Sequence, residues 1–316
     1  MKVHKFIDNY PSDEAMDRLC ELMTSEDPLW IGRSGGTDTY FVEAWNGFDW
    51  DYKIKLLRKY NGYYDHLGSI ENLERFRHMY IQSSKAMDLC TVHEGSQFGS
   101  ALRECIGCML TLENKYGITE IMCWRFLENA LPFMRSFKRW SQNKRILIVS
   151  PFSKSVEYQT QPDRVGNLHK EDFGFSQCTF STVNTPITYN TDTWECDVDA
   201  PNTNWFESAD SIFQNVSKCE FDIALLACGS YAMYLGEKIK TDLGKKSVYI
   251  GGMLSVYFNL YNDRYSSTGH DLSVINPKYQ ITSLENESFS QKAKEGKFKK
   301  FEGLNAYFGS KNSEQQ

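Results

Sequence analysis

Four short segments rich in glycine and small hydroxyl residues each follow a run of apolar residues. They are Arg33–Asp38, Pro151–Ser155, Cys228–Tyr231 and Gly251–Gly252. Glycine lets a ligand approach the backbone closely, and a helix that begins there offers N–H groups and the positive end of its dipole. Any one segment could be no more than a tight connection between a strand and a helix. Their repetition favours a binding site for an anion such as a diphosphate.

The first segment also carries charged side chains. Asp38 could hold a divalent cation that bridges diphosphate oxygens, or it could cap the helix that follows. Taken alone, the capping role is the commoner one. Arg33 could pair with a phosphate or with a carboxylate such as Glu43, and the sequence does not choose between them.

Several other kinds of site lack support. The sequence contains no G-x-G-x-x-G, no G-x-x-x-x-G-K-[ST] and no G-x-S-x-G, so nicotinamide, P-loop and α/β-hydrolase chemistry lose their main motifs. Cys105 and Cys108 form a lone C-x-x-C without the second ligand pair that zinc needs. The basic run 292–300 is interpreted as a solvated face, and contact with an anionic acceptor or lipid headgroups is the alternative interpretation.

The elements that position these turns can be predicted from apolar patterning. The runs 145–150, 221–227 and 246–250 show no polar alternation, which is typical of parallel strands covered on both faces. Each precedes a small-residue turn and a helical pattern, which predicts βαβ units. A further strand is predicted at 29–32 and another at 178–183, whereas 51–140 is predicted to be mostly helical. The expected fold class is α/β: a Rossmann-like, mostly parallel sheet flanked by helices, with a helical N-terminal half.

Composition narrows the class of protein further. The chain has 316 residues, of which 41% are hydrophobic, enough for a sizeable core without disulfides or metals. The 35 Lys+Arg against 41 Asp+Glu give a formal charge of −6, which argues against general nucleic-acid binding. We find no apolar window of spanning length and no signal-peptide core, so we predict a cytoplasmic protein without a membrane span.

Five blocks of the sequence, in order, resemble the GT-D-type glycosyltransferase family, and together they run over nearly the whole chain. The blocks are WIGRSGGTD, NGYYDHLGSIENLERFRHMYIQSSKAMDLC, WRFLENALPF with KRILIVSPFSKSVEYQ, the most specific stretch at 221–265, and FEGLNAYF. The resemblance implies a single GT-D-like domain over 1–316. Its parts would be a first strand, turn and helical region (1–140), a βαβ nucleotide-sugar region (141–262), a C-terminal loop region (263–308) and a disordered tail (309–316).

The resemblance also implies a reaction, the transfer of a sugar from a nucleotide diphosphate sugar by direct displacement. The acceptor would be a glycan, a glycoprotein or another hydroxyl compound, as in polysaccharide biosynthesis. Asp38 matches the second acidic position of the family's D-x-E motif, and Gly36 stands at the first. Either Asp38 alone holds Mn²⁺ or Mg²⁺, or basic residues balance the diphosphate charge instead. Tyr249 stands where relatives often have histidine.

Candidate site residues follow from the turns and the resemblance together. The candidates for the catalytic base are Asp38, Glu302 and Tyr249, which the sequence does not rank. The predicted donor-binding residues are Arg33, Gly35, Gly36, Thr37, Pro151, Phe152, Ser155, Gln159, Gly229, Ser230, Tyr231, Lys246, Gly251 and Gly252. Two alternatives stay open: a non-catalytic nucleotide- or glycan-binding relative, and a nucleotide-dependent transferase of another group on the same sheet.

Overall fold

The computed structural model describes residues 2–4, 6–7, 10–11, 13–34, 54, 57, 61–65, 67–92, 117–118, 120–123, 130–188, 202–261 and 272–285. The strands are β1 (Lys2–His4), β2 (Phe6–Ile7), β3 (Tyr10–Pro11), β4 (Leu29–Ser34), β5 (Leu89–Val92), β6 (Glu120–Cys123), β7 (Arg145–Ser150), β8 (Thr179–Asn184), β9 (Ile223–Leu226) and β10 (Lys246–Tyr249). The helices are α1 (Asp13–Thr24), α2 (Ile70–Lys85), α3 (Ala130–Trp140), α4 (Ser153–Gln159), α5 (Trp205–Ser217), α6 (Tyr231–Thr241) and α7 (Leu254–Tyr257).

Eight of the strands form one sheet in the order β1-β6-β5-β4-β10-β9-β7-β8, and every neighbouring pair is parallel. In this order β5 and β6 follow β4 towards one end of the sheet, whereas β8 follows β7 towards the other end. β9 and β10 fill the two places between. The direction of winding therefore reverses in the middle of the sheet. The α/β, Rossmann-like fold predicted from the sequence is confirmed.

Successive residues of the strands face two separate hydrophobic cores, because side chains alternate across a strand. Ile146 and Ile148 of β7 belong to a core with α1, α3 and α7, whereas Leu147 and Val149 belong to a core with α2, α5 and α6. Trp30 of β4 is fully buried in the second core. Helices thus cover both faces of the sheet, which explains why its central strands read as continuous apolar runs.

Local capping fixes where two of the covering helices begin. Ser69 precedes α2, and its hydroxyl accepts a hydrogen bond from Asn72 N at 3.2 Å. Asn204 precedes α5, and its side-chain oxygen accepts from the N–H groups of Phe206 and Glu207. Such caps satisfy amides that the first turn of a helix leaves unpaired.

The prediction for residues 51–140 was only partly right. The helices α2 and α3 lie there, but the same stretch contributes β5 and β6 to the sheet. Each of these strands has four residues, too few for a period to be recognised, and they are held in place by pairing with β4 and with each other. The helix predicted after residue 38 and the tail at 309–316 lie outside the described residues. Within the described ranges, no helix is both long enough and apolar enough to cross a membrane.

Candidate functional site

The four turns identified in the sequence follow four strands that are consecutive in the sheet. Their strands are β4, β10, β9 and β7, and because all four are parallel, their carboxyl ends lie at one edge. The winding direction reverses across these same strands, and ligands of open α/β sheets bind at the carboxyl ends of strands beside such a reversal. The expectation that the strands leading into these turns end at one edge is confirmed. Residues 35–38 of the first turn lie outside the described residues.

Arg33, Tyr249 and Gly251 meet at the centre of this edge. The Cζ atom of Arg33 lies 5.6 Å from the centroid of the Tyr249 ring, a distance typical of a cation–π contact. Gly251 has a φ of 57°, and a Cβ atom built on it would lie 2.8 Å from Nη1 of Arg33. Glycine at 251 therefore gives both the left-handed turn and the room that the guanidinium occupies. Arg33 and Tyr249 are half-buried, so both side chains keep some exposed surface.

The turn after β9 contributes backbone rather than side chains to the edge. Gly229 has a φ of 61°, and Ser230 N donates to the carbonyl oxygen of Asn61 at 3.2 Å. The Ser230 hydroxyl accepts a 2.9 Å hydrogen bond from Trp205 Nε1, and the Tyr231 ring stacks on Trp205 at 4.9 Å between centroids. Burial raises the pKa of Tyr231 well above its usual value. Both side chains predicted to bind the donor thus belong to the core.

The turn after β7 is held by a carboxylate that the sequence did not reveal. Ser155 N donates to Glu285 Oε1 at 3.1 Å, and the Ser155 hydroxyl donates to Oε2 of the same carboxylate. Ser283 Oγ donates to Oε2 at 2.7 Å, and Leu284 N donates to Ser155 Oγ at 2.9 Å. Ser155 and Glu285 are both buried. Ser155 therefore serves the attachment of segment 272–285, where we had expected it to line a donor pocket.

Gln159 is also structural. It is fully buried at the far end of α4, and its amide nitrogen donates to the carbonyl oxygens of Asn259 (3.2 Å) and Tyr279 (2.9 Å). Its side-chain oxygen accepts from Arg164 Nε at 2.9 Å. These three contacts hold the end of α4 against neighbouring loops and use both polar atoms of the Gln159 side chain.

Lys246 lies at the amino ends of the strands, opposite the carboxyl ends that carry the turns. It is the first residue of β10, and its Nζ donates to the carbonyl oxygens of Leu22 (2.8 Å), Met23 (3.1 Å) and Ser25 (2.5 Å). The ammonium group thus satisfies carbonyls left unpaired at the end of α1 and complements its dipole. Burial lowers the pKa of Lys246. This position is away from the carboxyl ends of the strands, where the diphosphate site is predicted, so the structure does not bring Lys246 together with Arg33.

The remaining predicted residues divide into two groups. Pro151, Phe152 and Gly252 follow strand ends at the carboxyl edge, with Pro151 buried and the other two half-buried. Gly35, Gly36, Thr37, Asp38 and Glu302 lie outside the described residues, so their roles stay predictions. In the part of the chain that is described, no three His, Cys, Asp or Glu residues are grouped to hold a metal ion.

Comparison with known proteins gives structural likenesses only. No family model matches the sequence, and no curated protein matches it. The structure is similar to that of a glycosyltransferase (DUF1792) from Streptococcus sanguinis, with a TM-score of 0.44 and 14% identity over 85% of this chain and 86% of that one. It is also similar to a selenomethionine-substituted structure of domain of unknown function 1792, with a TM-score of 0.45 and 15% identity over 81% and 86%.

A further similar structure is described as the highly conserved domain of unknown function 1792, with a distinct glycosyltransferase fold. Its TM-score is 0.44, and its identity is 14% over 84% of this chain and 96% of that one. At these identities the likeness concerns the arrangement of the chain and not its chemistry.

Proposed function

We propose that the protein is a glycosyltransferase that moves a sugar from a nucleotide diphosphate sugar to a hydroxyl acceptor by direct displacement. The observation that carries the proposal is the placement of Arg33 over Tyr249 at the carboxyl edge, beside the glycine turns after β9 and β10. The order of sequence blocks that resembles the GT-D-type family supports the same reaction. A glycan or glycoprotein would be the acceptor.

In this proposal the site stabilises the charge that develops on the leaving diphosphate. Arg33 presents a planar guanidinium with several N–H donors, which suits the oxygens of a phosphate. Gly229 keeps the neighbouring backbone free of a side chain, so a diphosphate can approach closely, and Gly251 leaves the room in which the Arg33 guanidinium lies. Charge held in place before the reaction lowers the barrier because it needs no reorganisation as the bond to the sugar breaks.

Asp38 follows Arg33 in the first turn and stays our candidate for two roles. It would hold a Mn²⁺ or Mg²⁺ ion, which adds positive charge at the diphosphate, or it would accept the proton of the attacking hydroxyl. Glu302 is the second candidate for the base. Both assignments rest on the sequence and on the resemblance.

A donor screen tests the proposal. A panel of nucleotide sugars is incubated with the protein, with and without Mn²⁺ and Mg²⁺, and released nucleoside diphosphate is measured. We expect turnover of at least one donor, and a loss of at least tenfold in kcat/KM for Arg33→Gln. Arg139→Gln is the matched control, because Arg139 is exposed and pairs with Asp17 on α1. The absence of both release and calorimetric binding for every donor would falsify the proposal.

A non-catalytic protein that binds a nucleotide or a glycan is the second candidate. Glycine at 36 and tyrosine at 249, where the family has an acidic residue and often a histidine, favour it. It predicts that nucleoside diphosphates bind, and that Arg33→Gln weakens their binding, while no donor is turned over. Any sugar transfer above the background of the Arg33→Gln variant eliminates this candidate.

A further inference from the structure

We propose that Tyr249 is a positioning residue whose ring holds the Arg33 guanidinium at the carboxyl edge, so that it contributes stacking and no proton transfer. This inference rests on the proposed function, because it assigns Arg33 to the diphosphate of the donor. It replaces the expectation that Tyr249 is one of the candidate bases.

The strand pairing brings the two residues together. β4 and β10 are adjacent and parallel, with Val248 paired to Ile31, so the residues that follow both lie at the carboxyl ends of their strands. Arg33 Cζ then lies 5.6 Å from the Tyr249 ring centroid. An arginine side chain has several rotatable bonds, and a ring against its guanidinium reduces the number of orientations that it can take before a ligand arrives.

Gly251 completes the arrangement from the other side. A Cβ atom at 251 would lie 2.8 Å from Arg33 Nη1 and 3.6 Å from Tyr249 Cε2, so the same small space borders both side chains. The guanidinium is therefore held between an aromatic ring and a backbone segment that has no side chain. A residue larger than glycine at 251 would displace the guanidinium from this position.

The chemistry of the phenol argues for the same assignment. A free tyrosine has a pKa of about 10, so at neutral pH its hydroxyl is a poor base for an attacking sugar hydroxyl. The ring face, in contrast, attracts a cation at any pH.

The test separates the ring from the hydroxyl. Tyr249→Phe keeps the ring, whereas Tyr249→Leu and Tyr249→Met remove it and leave a smaller apolar side chain. We expect Tyr249→Phe to keep the wild-type Kd for uridine diphosphate and pyrophosphate and the wild-type pH profile of turnover. Loss of the ring should raise Kd about fivefold to thirtyfold, as expected for a partly desolvated cation–π contact. Tyr158→Leu is the control, because Arg164 lies over Tyr158 at 4.3 Å on a different surface.

A second measurement does not depend on any ligand. The ring current of Tyr249 should shift the side-chain NMR signals of Arg33 in the wild type and in Tyr249→Phe, and the shift should be lost in Tyr249→Leu. Combining Arg33→Gln with Tyr249→Leu should weaken diphosphate binding no further than Arg33→Gln alone.

The outcomes distinguish this inference from the proposed function. Loss of turnover in Tyr249→Phe with unchanged Kd would show that the hydroxyl reacts and would overturn the inference alone. If Tyr249→Leu leaves both the Kd for the diphosphate ligands and the NMR signals of Arg33 unchanged, the inference alone is overturned as well. A wild-type protein that binds no donor of the panel and releases no nucleoside diphosphate from any of them would overturn both the inference and the proposed function.

Discussion

Ser155 and Glu285 are joined by two hydrogen bonds, although 130 residues separate them in the chain. The backbone N–H and the hydroxyl of Ser155 both donate to the Glu285 carboxylate, which is buried. The N–H group and hydroxyl of Ser155, near the start of α4, thus already have a side-chain acceptor within the protein. This finding moves the proposed diphosphate site away from β7 and towards the ends of β4, β10 and β9.

We expect Glu285→Ala to lower the free energy of unfolding by about 2–4 kcal/mol, because it leaves the Ser155 N–H and two hydroxyl groups buried without their acceptor. Glu285→Gln should lower the free energy of unfolding less, since an amide oxygen can still accept one of these hydrogen bonds. Urea unfolding followed by circular dichroism measures both. Glu171→Ala, at an exposed position, is the control, and an equal effect of the two alanine variants would contradict the structural role of Glu285.

The packing of α6 on the sheet depends on the absence of a side chain at Gly236. A Cβ atom there would lie 2.3–2.4 Å from three atoms of the Trp30 ring. Because Trp30 is fully buried and cannot move aside, Gly236→Ala should destabilise the protein by about 2–4 kcal/mol. Gly166→Ala is the matched control, because the nearest atom to its Cβ would be at 3.7 Å. Thermal and urea unfolding of the pair check the difference.

Asn259 holds three loops together from a left-handed backbone. Its φ is 53°, and its side-chain amide donates to the carbonyl oxygens of Leu168 and Asn276, each at 2.8 Å. Asn259→Ala should cost about 2–4 kcal/mol, since both bonds are lost in a buried site and the backbone strain remains. Asn143→Ala shares the positive φ but is exposed, so it isolates the strain. Equal losses in the two variants would show that the buried amide contributes nothing.

His169 makes stability depend on pH. It is buried, its Nε2 lies 3.5 Å from the carbonyl oxygen of Val256, and desolvation lowers its pKa from 6.5 to about 4. Because the folded pKa is lower than the unfolded one, the neutral ring is favoured by folding. The contribution of His169 to the free energy of unfolding is complete above pH 6.5 and is lost as the pH falls towards 4. The full loss is about 3 kcal/mol, at about 1.4 kcal/mol for each pKa unit.

The measurement is a series of urea unfolding curves between pH 7 and pH 5, where few carboxylates titrate. The wild type should lose about 2 kcal/mol over this interval from His169. His169→Gln should show a flatter dependence, whatever its stability at pH 7. A slope that His169→Gln leaves unchanged would mean that His169 is protonated without cost in the folded protein.

Much of the second half of the molecule could be read from the sequence because its signals are local. Continuous apolar runs at 145–150 and 246–250 indicate strands covered on both faces, and glycine after a run marks the turn that follows. The structure has β7 and β10 at these positions. The same patterns missed β5 and β6, since a four-residue strand carries too little period to be told from a helix.

The contacts of the side chains near the turns could not be predicted in the same way. Tyr231 and Lys246 stand in sequence beside glycine turns and strand ends, yet one packs on Trp205 and the other binds the end of α1. Which way the Tyr231 side chain points depends on elements far away in the chain, whereas the place of Lys246 at the amino end of its strand already follows from the run 246–250. Glu285 gave no signal at all, because its partner Ser155 is distant in sequence.

By itself, the amino-acid order determined that a parallel sheet forms and that several of its strands end in glycine turns, because hydrophobic runs and turn residues act over a few neighbours. Only the tertiary structure decided that β4, β10, β9 and β7 lie side by side, and so brought Arg33 to Tyr249. Strand order depends on burying both faces of the whole sheet under helices from distant parts of the chain. A local sequence pattern cannot specify it, because such a pattern covers only a few neighbouring residues.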